Sequence, residues 1–376
     1  MQASELLARH YQTGSLLKIA IRNGRFQSVE ASNESSVNAR WIAPPIFDLQ
    51  ANGFGGVDFQ ATTVTVQELE LAGHTFQAEG GGKFLLTMVT APWEQLITQL
   101  QRVVALRNQS RFLQSVIPGF HIEGPFLSSA PGFHGAHNPA WMLDPTPQLI
   151  DQLKLAVGNL PLLLTLAPER SGAIEAIRHA TSQGIKVSLG HSDASAGCIA
   201  QAIGAGARMF THLANACPQT LDRHDNILWR VADAPFQAVS LIPDGRHVTP
   251  SLFRLLHRAL KPDQIIYVTD AMSAAGAKPG KYHLGELELE VGDDGVVHQP
   301  GKSNFAGSSL TSKDLILRAA AMLGISWREV WVAASERPRN FMDIPWKLEA
   351  GAPAEYALVQ ESSTGQLERI ENFIGS

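Results

Sequence analysis

Short apolar runs alternate with amphipathic stretches through the middle of the chain. The stretches between the runs, such as WEQLITQLQRVVALRNQ and TPSLFRLLHRAL, place apolar residues at helical spacing. Because the runs are mostly too apolar to have a solvent-facing side, their alternation with helices predicts a closed parallel sheet covered by helices. The predicted fold class is α/β, a TIM-type (β/α)8 barrel. Its strands are expected near residues 46–50, 83–90, 119–123, 161–167, 185–190, 208–213, 238–243 and 265–269.

Alternating strands at both ends of the chain predict a second, smaller module. LLKIAIRNGRFQSVE consists of two alternating runs around Asn23-Gly24, a dipeptide that favours a type I′ turn between strands. Near the C-terminus, AEYALVQESSTGQLERIENF repeats the order strand, turn, strand. We therefore expect residues 1–44 and 345–376 to form together a small β-sandwich, with the barrel between them over residues 45–344.

Composition narrows the function classes. The chain has 376 residues, 17% of them charged, and a net charge of −5, without a run of Lys or Arg. This balance argues against nucleic acid as a partner. The sequence shows neither a signal peptide nor an apolar segment long enough to span a bilayer, so a cytoplasmic protein without a membrane partner is expected. Cys198 and Cys217 lack CxxC spacing and are expected to be reduced thiols.

Four polar residues stand where apolar runs stop. Glu123 ends FHIEG, His191 ends KVSLGH, His212 lies in MFTHLANA and Asp270 ends IIYVTD. The C-terminal ends of barrel strands form the edge where active sites are built. One Glu and two His match the three-ligand set of a catalytic zinc ion, and Asp is suited to act as a general base. The alternatives are a salt bridge for Glu123, hydrogen-bonded core histidines and a helix N-cap at Asp270.

The first strand carries amides where a second metal would need stronger ligands. Gln50 and Asn52 lie two residues apart on one strand face. Neutral amides are poor zinc ligands, but they hydrogen-bond water well. This favours one divalent ion per subunit. We expect Zn²⁺, and Fe²⁺ and Mn²⁺ are compatible with the same ligands.

Three polar loops carry candidates for anion binding. Asn215-Ala216, Arg223 and His247 each follow a strand-like run. Arg is suited to bidentate phosphate binding, and backbone N–H groups at a helix start would add to it. For Arg223 the alternative is an ordinary surface ion pair.

A series of motifs in this order resembles the N-acetylglucosamine-6-phosphate deacetylase family of the amidohydrolase superfamily. The motifs are HIEGPFLS, GAHNP, TLAPE, GHSDA, THLANA, PDGRHV, VTDAM and AGSSLT, and the match spans roughly residues 45–345. The resemblance implies a TIM barrel with a small β-sandwich, which agrees with the residue patterns. It also implies metal ligands at Glu123, His191 and His212, a catalytic acid/base at Asp270, and water held by Gln50 and Asn52.

The same resemblance implies how the substrate is held. The acetamido group would contact His137, with the Ala136 backbone beside it. The sugar would lie along the backbone of Phe305, Ala306 and Gly307. The phosphate would be cradled by Asn215 and Ala216, near a helix start. In a homodimer it would also be reached by Arg223 and His247 of the neighbouring subunit.

Together these features predict an enzyme that hydrolyses a linear amide C–N bond. The expected reaction converts N-acetyl-D-glucosamine 6-phosphate to D-glucosamine 6-phosphate and acetate. One alternative is deacetylation of another N-acyl amino sugar, such as N-acetylgalactosamine 6-phosphate or an unphosphorylated sugar. A second is a non-catalytic sugar-phosphate sensor. The presence of all four strand-end residues argues against the sensor.

Overall fold

The structure, a computed structural model, describes residues 4–34, 39–301 and 305–374. In chain order, the strands are β1 (Ser4–His10), β2 (Leu16–Arg22), β3 (Arg25–Ala31), β4 (Trp41–Ala43), β5 (Ile46–Ala51), β6 (Gly53–Phe54), β7 (Val57–Asp58), β8 (Gly81–Val89), β9 (Gly119–Glu123), β10 (Leu162–Leu166), β11 (Lys186–Leu189), β12 (Met209–Phe210), β13 (Ala238–Leu241), β14 (Ile265–Tyr267), β15 (Gly280–Leu284), β16 (Leu287–Val291), β17 (Val297–His298), β18 (Tyr356–Glu361) and β19 (Leu367–Phe373).

The α-helices lie mainly between the strands of the central part. They are α1 (Val66–Ala78), α2 (Trp93–Asn108), α3 (Arg111–Val116), α4 (Pro147–Val157), α5 (Ala173–Ser182), α6 (Ala196–Ala205), α7 (Ile227–Asp233), α8 (Pro250–Ala259), α9 (Ser312–Leu323), α10 (Trp327–Ala334) and α11 (Glu336–Phe341). None of the helices in the described ranges combines the length and apolar character that a bilayer crossing needs.

The central sheet is the predicted TIM-type barrel. Its eight strands are ordered β14-β13-β12-β11-β10-β9-β8-β5, and each neighbouring pair is parallel. Each predicted apolar run overlaps one of these strands. The gap between β14 and β5 is bridged after the end of β14. There Ala51 pairs with Ala271, and the N–H of Asn52 donates to the carbonyl of Ala271 over 2.7 Å.

A buried carboxylate helps to join the first and last barrel strands. Asp48 in β5 accepts hydrogen bonds from the backbone N–H of Thr269, at 3.2 Å, and from the Thr269 hydroxyl. It also accepts from the N–H of Gln50 at 3.1 Å. Burial raises the pKa of Asp48 to about 7, against the opposing effect of these hydrogen bonds. The contacts hold Thr269, and with it the next residue, Asp270, against β5.

The terminal segments form one six-stranded sheet, ordered β19-β18-β4-β1-β2-β3. Asn23 and Gly24 have φ angles of 52° and 69°, as the predicted type I′ turn requires. Ile19, Phe26 and Leu358 belong to a small core of this module. The prediction of a small β domain built from both chain ends is confirmed. The boundaries at residues 44/45 and 344/345 stay predictions.

A hairpin excursion covers part of the carboxyl edge of the barrel. β15, β16 and β17 form a separate antiparallel sheet at the position where the sequence predicted a hairpin. Its apolar face places Leu284 and Leu289 in one cluster with Met272 and Ala306, which flank the barrel edge. The hairpin therefore forms a wall beside the strand ends.

An ion pair between the two modules predicts a large stability effect. Lys83 in β8 is 8% exposed, and its Nζ lies 2.5 Å from Oε1 of Glu355, just before β18. Burial lowers the pKa of Lys83, and the charge of Glu355 opposes that shift. We expect Glu355→Gln to lower the free energy of unfolding by about 3 kcal/mol, because it leaves a buried ammonium without a countercharge. Urea denaturation measures the change.

Glu288→Gln provides the matched control. It breaks the exposed pair of Lys281 and Glu288, joined over 2.9 Å with half or more of each side chain exposed, so no measurable loss is expected. Equal losses for the two variants would contradict a special role for the buried pair.

Candidate active site

Three of the four strand-end residues share an unusual backbone conformation. His191, His212 and Asp270 have φ angles of 51°, 33° and 50°, in the left-handed region. Such a conformation costs a non-glycine residue about 1–3 kcal/mol and persists only where the surroundings impose it. The three residues follow the ends of β11, β12 and β14 by two or three positions, and all three side chains line the same cavity at the barrel edge.

Glu123, His191 and His212 form a compact buried cluster. Oε1 of Glu123 lies 2.7 Å from Nε2 of His212 and 3.2 Å from Nε2 of His191. One ligand atom from each residue lies within 4.8 Å of the other two. Nδ1 of His191 contacts the carbonyl oxygen of Phe133 at 2.9 Å. Since a carbonyl only accepts, Nδ1 carries a proton, and Nε2 is the ring nitrogen that faces Glu123 and could serve as a metal ligand.

The electrostatics of the cluster suit a cation. Glu123 is 3% exposed, and burial alone would raise the pKa of its carboxyl group. Hydrogen bonds from the two imidazoles and their charge instead hold the pKa of Glu123 well below its usual value. For His212, burial lowers the pKa, but Glu123 more than offsets it and the net shift is upward. A buried carboxylate and two imidazoles are a donor set that fits one divalent ion of the zinc type.

Asp270 lies beside this cluster. Asn52 Nδ2 donates to Oδ1 of Asp270 over 2.8 Å, and the Asp270 carbonyl accepts from the N–H of Ser308 at the same distance. Burial, and next the charge of Glu123, raise the pKa of Asp270 to about 6. No helix follows Asp270, which excludes the alternative of an N-cap. The carboxyl group is therefore oriented by Asn52.

His137 faces the cluster as a neutral donor. Its Nδ1 accepts from the backbone N–H of Thr90 at 3.3 Å and lies 2.8 Å from the Thr90 hydroxyl oxygen. Burial lowers the pKa of His137 to about 3, and the charge of His191 adds to the shift. The ring is therefore neutral, and its proton is on Nε2, which lies 3.7 Å from Oε2 of Glu123. His137 presents an N–H towards the centre of the site.

One cavity of about 520 Å³, here the reaction cavity, collects most of the predicted site residues. Its lining includes Asn52, Glu123, Ala136, His137, His191, His212, Asn215, Ala216, His247, Asp270, Phe305, Ala306 and Gly307. Gln50, whose side chain is buried in β5, does not line this cavity. Arg223 does not line it either and is exposed on a loop.

The expectation that His247 reaches a neighbouring subunit stays a prediction. The structure places it in the reaction cavity of its own chain. Its Nδ1 lies 2.6 Å from Oδ2 of Asp244, and its ring stacks at a tilt on Phe305 with centroids 4.9 Å apart. The turn at Asp244, whose carboxylate also accepts the His247 N–H at 2.8 Å, directs the ring inward.

The expected helix start at Asn215 and Ala216 is wrong. The next helix, α7, begins only at Ile227, and the intervening loop contains left-handed residues at Ala214 and Ala216, with φ of 76° and 49°. Asn215 turns its side-chain amide back onto the His212 carbonyl at 3.2 Å. Any anion contact here must come from the loop backbone and not from a helix terminus.

Sequence reasoning missed two residues that orient the site. Thr90 holds His137, and Asp48 holds the strand before Asp270. The sequence contains a signal for both residues, because Thr90 is a polar residue at the end of an apolar run and Asp48 is an acidic residue within one. Cys217 lines the reaction cavity, but burial raises the pKa of its thiol, which disfavours the thiolate that a nucleophile needs.

Relatives of known name match nearly the whole chain. The mouse N-acetylglucosamine-6-phosphate deacetylase is 30% identical over 372 residues, which span 93% of this chain and 89% of the relative. The chain belongs to the N-acetylglucosamine-6-phosphate deacetylase family. Within this family, an N-acetylgalactosamine-6-phosphate deacetylase of Escherichia coli O157:H7 is 31% identical and spans 87% of this chain and 85% of the relative. No protein-family model matches the chain.

Solved structures of the deacetylase family share the fold. An aspartate-to-alanine mutant of the Mycobacterium smegmatis N-acetyl-D-glucosamine-6-phosphate deacetylase, in complex with N-acetyl-D-glucosamine-6-phosphate, superposes with a TM-score of 0.86. It is 28% identical, and the match covers 98% of this chain and 99% of that one. The Thermotoga maritima deacetylase, 23% identical with a TM-score of 0.81, supports the fold alone.

The ligand set predicts the effect of one substitution on metal content. Glu123→Ala should lose most of the bound divalent ion, because the two histidines lose the carboxylate that lies between them. Metal per chain is measured by mass spectrometry after gel filtration. Glu286→Ala, on the exposed tip of the hairpin, is the control and should keep its metal. A fully metallated Glu123→Ala protein would contradict the ligand assignment.

Proposed function

We propose that this chain is a metal-dependent deacetylase that hydrolyses N-acetylglucosamine 6-phosphate to glucosamine 6-phosphate and acetate. The observation that carries the proposal is the convergence of Glu123, His191, His212 and Asp270 on one cavity, with a neutral His137 opposite. A protein that only binds a ligand or only gives structural support does not need this combination of residues. The choice of reaction is supported by the family to which the chain belongs, whose members are named as deacetylases.

Glu123, His191 and His212 would hold the metal ion. We propose zinc, because one carboxylate and two imidazoles are a catalytic zinc donor set, although Fe²⁺ and Mn²⁺ accept the same atoms. When bound, the ion lowers the pKa of a water molecule and polarises the amide carbonyl. Gln50 Nε2 and Asn52 Oδ1 are buried and have no protein partner in the described part of the chain. Of the two residues only Asn52 lines the reaction cavity, so its Oδ1 is the acceptor that would orient water there.

Asp270 supplies the proton transfers. Its carboxylate removes a proton from the attacking water, and Asn52 holds Oδ1 meanwhile. The same proton is then donated to the amide nitrogen as the C–N bond breaks, so the amine leaves neutral. His137 Nε2–H donates to the carbonyl oxygen as negative charge develops on it, and Thr90 keeps the ring in the donating tautomer.

The role of Asp270 predicts a separation of catalysis from metal binding. Asp270→Asn keeps the hydrogen-bonding shape but cannot accept the proton, so kcat should fall by about 10²–10⁴-fold. Metal content should stay at the parent level. Acetate release and metal per chain are measured on the same sample. Asp263→Asn, exposed at the start of β14, is the control with full activity expected. Parent-level turnover in Asp270→Asn would remove the residue from the mechanism.

The phosphate end of the reaction cavity lacks a permanent cation. Among the described residues that line it, His247 and the backbone of Asn215 and Ala216 remain as phosphate contacts, and there is no Lys or Arg. A dianionic phosphate is best held by a charged guanidinium. We therefore propose a homodimer in which the exposed Arg223 of one subunit enters the cavity of the other. The cytoplasmic location stays a prediction.

Phosphate recognition by Arg223 predicts substrate-dependent kinetics. Arg223→Ala should raise KM for N-acetylglucosamine 6-phosphate by about 10–100-fold, the value of one charge-assisted contact. Turnover of unphosphorylated N-acetylglucosamine should not change. Arg258→Ala, an exposed arginine of α8, should leave both substrates unaffected. Equal effects on both substrates would exclude a phosphate role.

Mixed dimers test whether the arginine acts across subunits. Arg223→Ala and Asp270→Asn proteins are each impaired, but their heterodimer contains one site with both native residues. Random mixing should then restore about a quarter of the parent activity. If mixing restores nothing while native mass spectrometry shows that heterodimers form, Arg223 serves the site of its own chain.

Galactosamine phosphate is the second candidate substrate. The 31% identity to the Escherichia coli N-acetylgalactosamine-6-phosphate deacetylase is as high as that to the glucosamine enzymes, so identity does not separate the two sugars. Comparing kcat/KM for the two 6-phosphates decides between them. A metal-loaded protein that binds either sugar without releasing acetate would instead indicate a sensor.

A further inference from the structure

A second cavity lies behind His137. It has a volume of about 460 Å³, within the range of small-molecule sites, and we call it the side cavity. Val89, Ala136, His137 and Leu284 line both the side cavity and the reaction cavity. These four residues form the wall between the two spaces. Three of them are apolar, so the surface that separates the two cavities is mostly apolar.

The lining of the side cavity mixes apolar residues with amides and hydroxyls and has one acid, so it suits a neutral group. Leu96 from α2, Trp141 and Leu287 of the hairpin contribute apolar surface. None of the described residues around it is Lys or Arg, and its one acid, Glu286, is exposed. A phosphate or a free acetate ion would find no countercharge there, and burying an unpaired charge is costly. An alkyl chain needs no such partner.

The polarity of the reaction cavity orients the substrate towards this wall. The proposed phosphate contacts, His247 and the loop at Asn215, line the reaction cavity alone, whereas His137 belongs to the wall. The amide carbonyl must lie within reach of Nε2 of His137 and of Asp270 if the proposed chemistry is right. The acyl group attached to that carbonyl is then the part of the substrate next to Val89 and Leu284.

We propose that the side cavity is an acyl pocket, which lets the enzyme hydrolyse N-acyl glucosamine 6-phosphates whose acyl chain is longer than acetyl. This inference rests on the proposed deacetylation. The chemistry is unchanged: water adds across the amide C–N bond, the acyl carbon gains the oxygen, and the amine nitrogen gains the proton carried by Asp270. The products are glucosamine 6-phosphate and the corresponding carboxylic acid.

The first test compares acyl chains on the parent, metal-loaded enzyme. The substrates are N-acetyl, N-propionyl, N-butyryl and N-hexanoyl glucosamine 6-phosphate, and release of glucosamine 6-phosphate is measured for each. We expect kcat/KM for the N-butyryl substrate to lie within about tenfold of that for the N-acetyl substrate. A fall of more than about 100-fold at N-butyryl, with N-acetyl turned over, would overturn the acyl pocket alone. Failure with every substrate would overturn the proposed function as well.

The second test fills the side cavity. Gln95 is an exposed residue of α2 that lines the side cavity but not the reaction cavity. Gln95→Trp should lower the ratio of kcat/KM for N-butyryl to that for N-acetyl by at least about tenfold, because the indole occupies the space of the longer chain. Gln101→Trp makes the same change at an exposed position of α2 away from both cavities, and its ratio should equal the parent's. An unchanged ratio in Gln95→Trp would show that the chain does not enter this space.

Discussion

The burial of one carboxylate governs the arrangement of the whole site. Glu123 is almost fully enclosed at the end of β9, where a charge without partners would be expensive. The imidazoles of His191 and His212 approach the same oxygen from two further strands, and their hydrogen bonds keep the carboxylate ionised. A buried cluster of one carboxylate and two imidazole rings is a donor set that a divalent cation can occupy. Because this buried charge has to be compensated, the barrel brings two histidines to it, and the resulting cluster suits a metal ion.

The barrel makes that compensation possible because it brings remote strand ends to one edge. β9 and β12 are separated along the chain by 89 residues at the contact of Glu123 with His212. The left-handed backbone at His191, His212 and Asp270 costs conformational energy, which the packed strands around these residues have to supply. Residues outside the chemistry then complete the orientation: Thr90 sets the proton of His137, and Asp48 anchors the strand before Asp270.

Elements with a strong local signal were predictable from the sequence. Eight apolar runs alternating with helical stretches determined the barrel, and Asn23-Gly24 determined the turn between β2 and β3. The strand-end residues were predictable for the same reason, since a polar side chain that ends a buried strand must lie at the barrel edge. The loop after His212 was not predictable, because its left-handed residues Ala214 and Ala216 carry no turn signal of their own.

The sequence by itself determined the fold class and predicted the ligand types and the candidate proton carrier, because these depend on periodicity and on the chemistry of single residues. Tertiary structure alone decided which polar atoms meet. It directed Asn52 onto Asp270, turned His247 into the cavity of its own chain and left Arg223 outside it. It also placed the hairpin so that Leu284 divides two cavities. These outcomes depend on packing between segments far apart in the chain, and local sequence does not encode such distances.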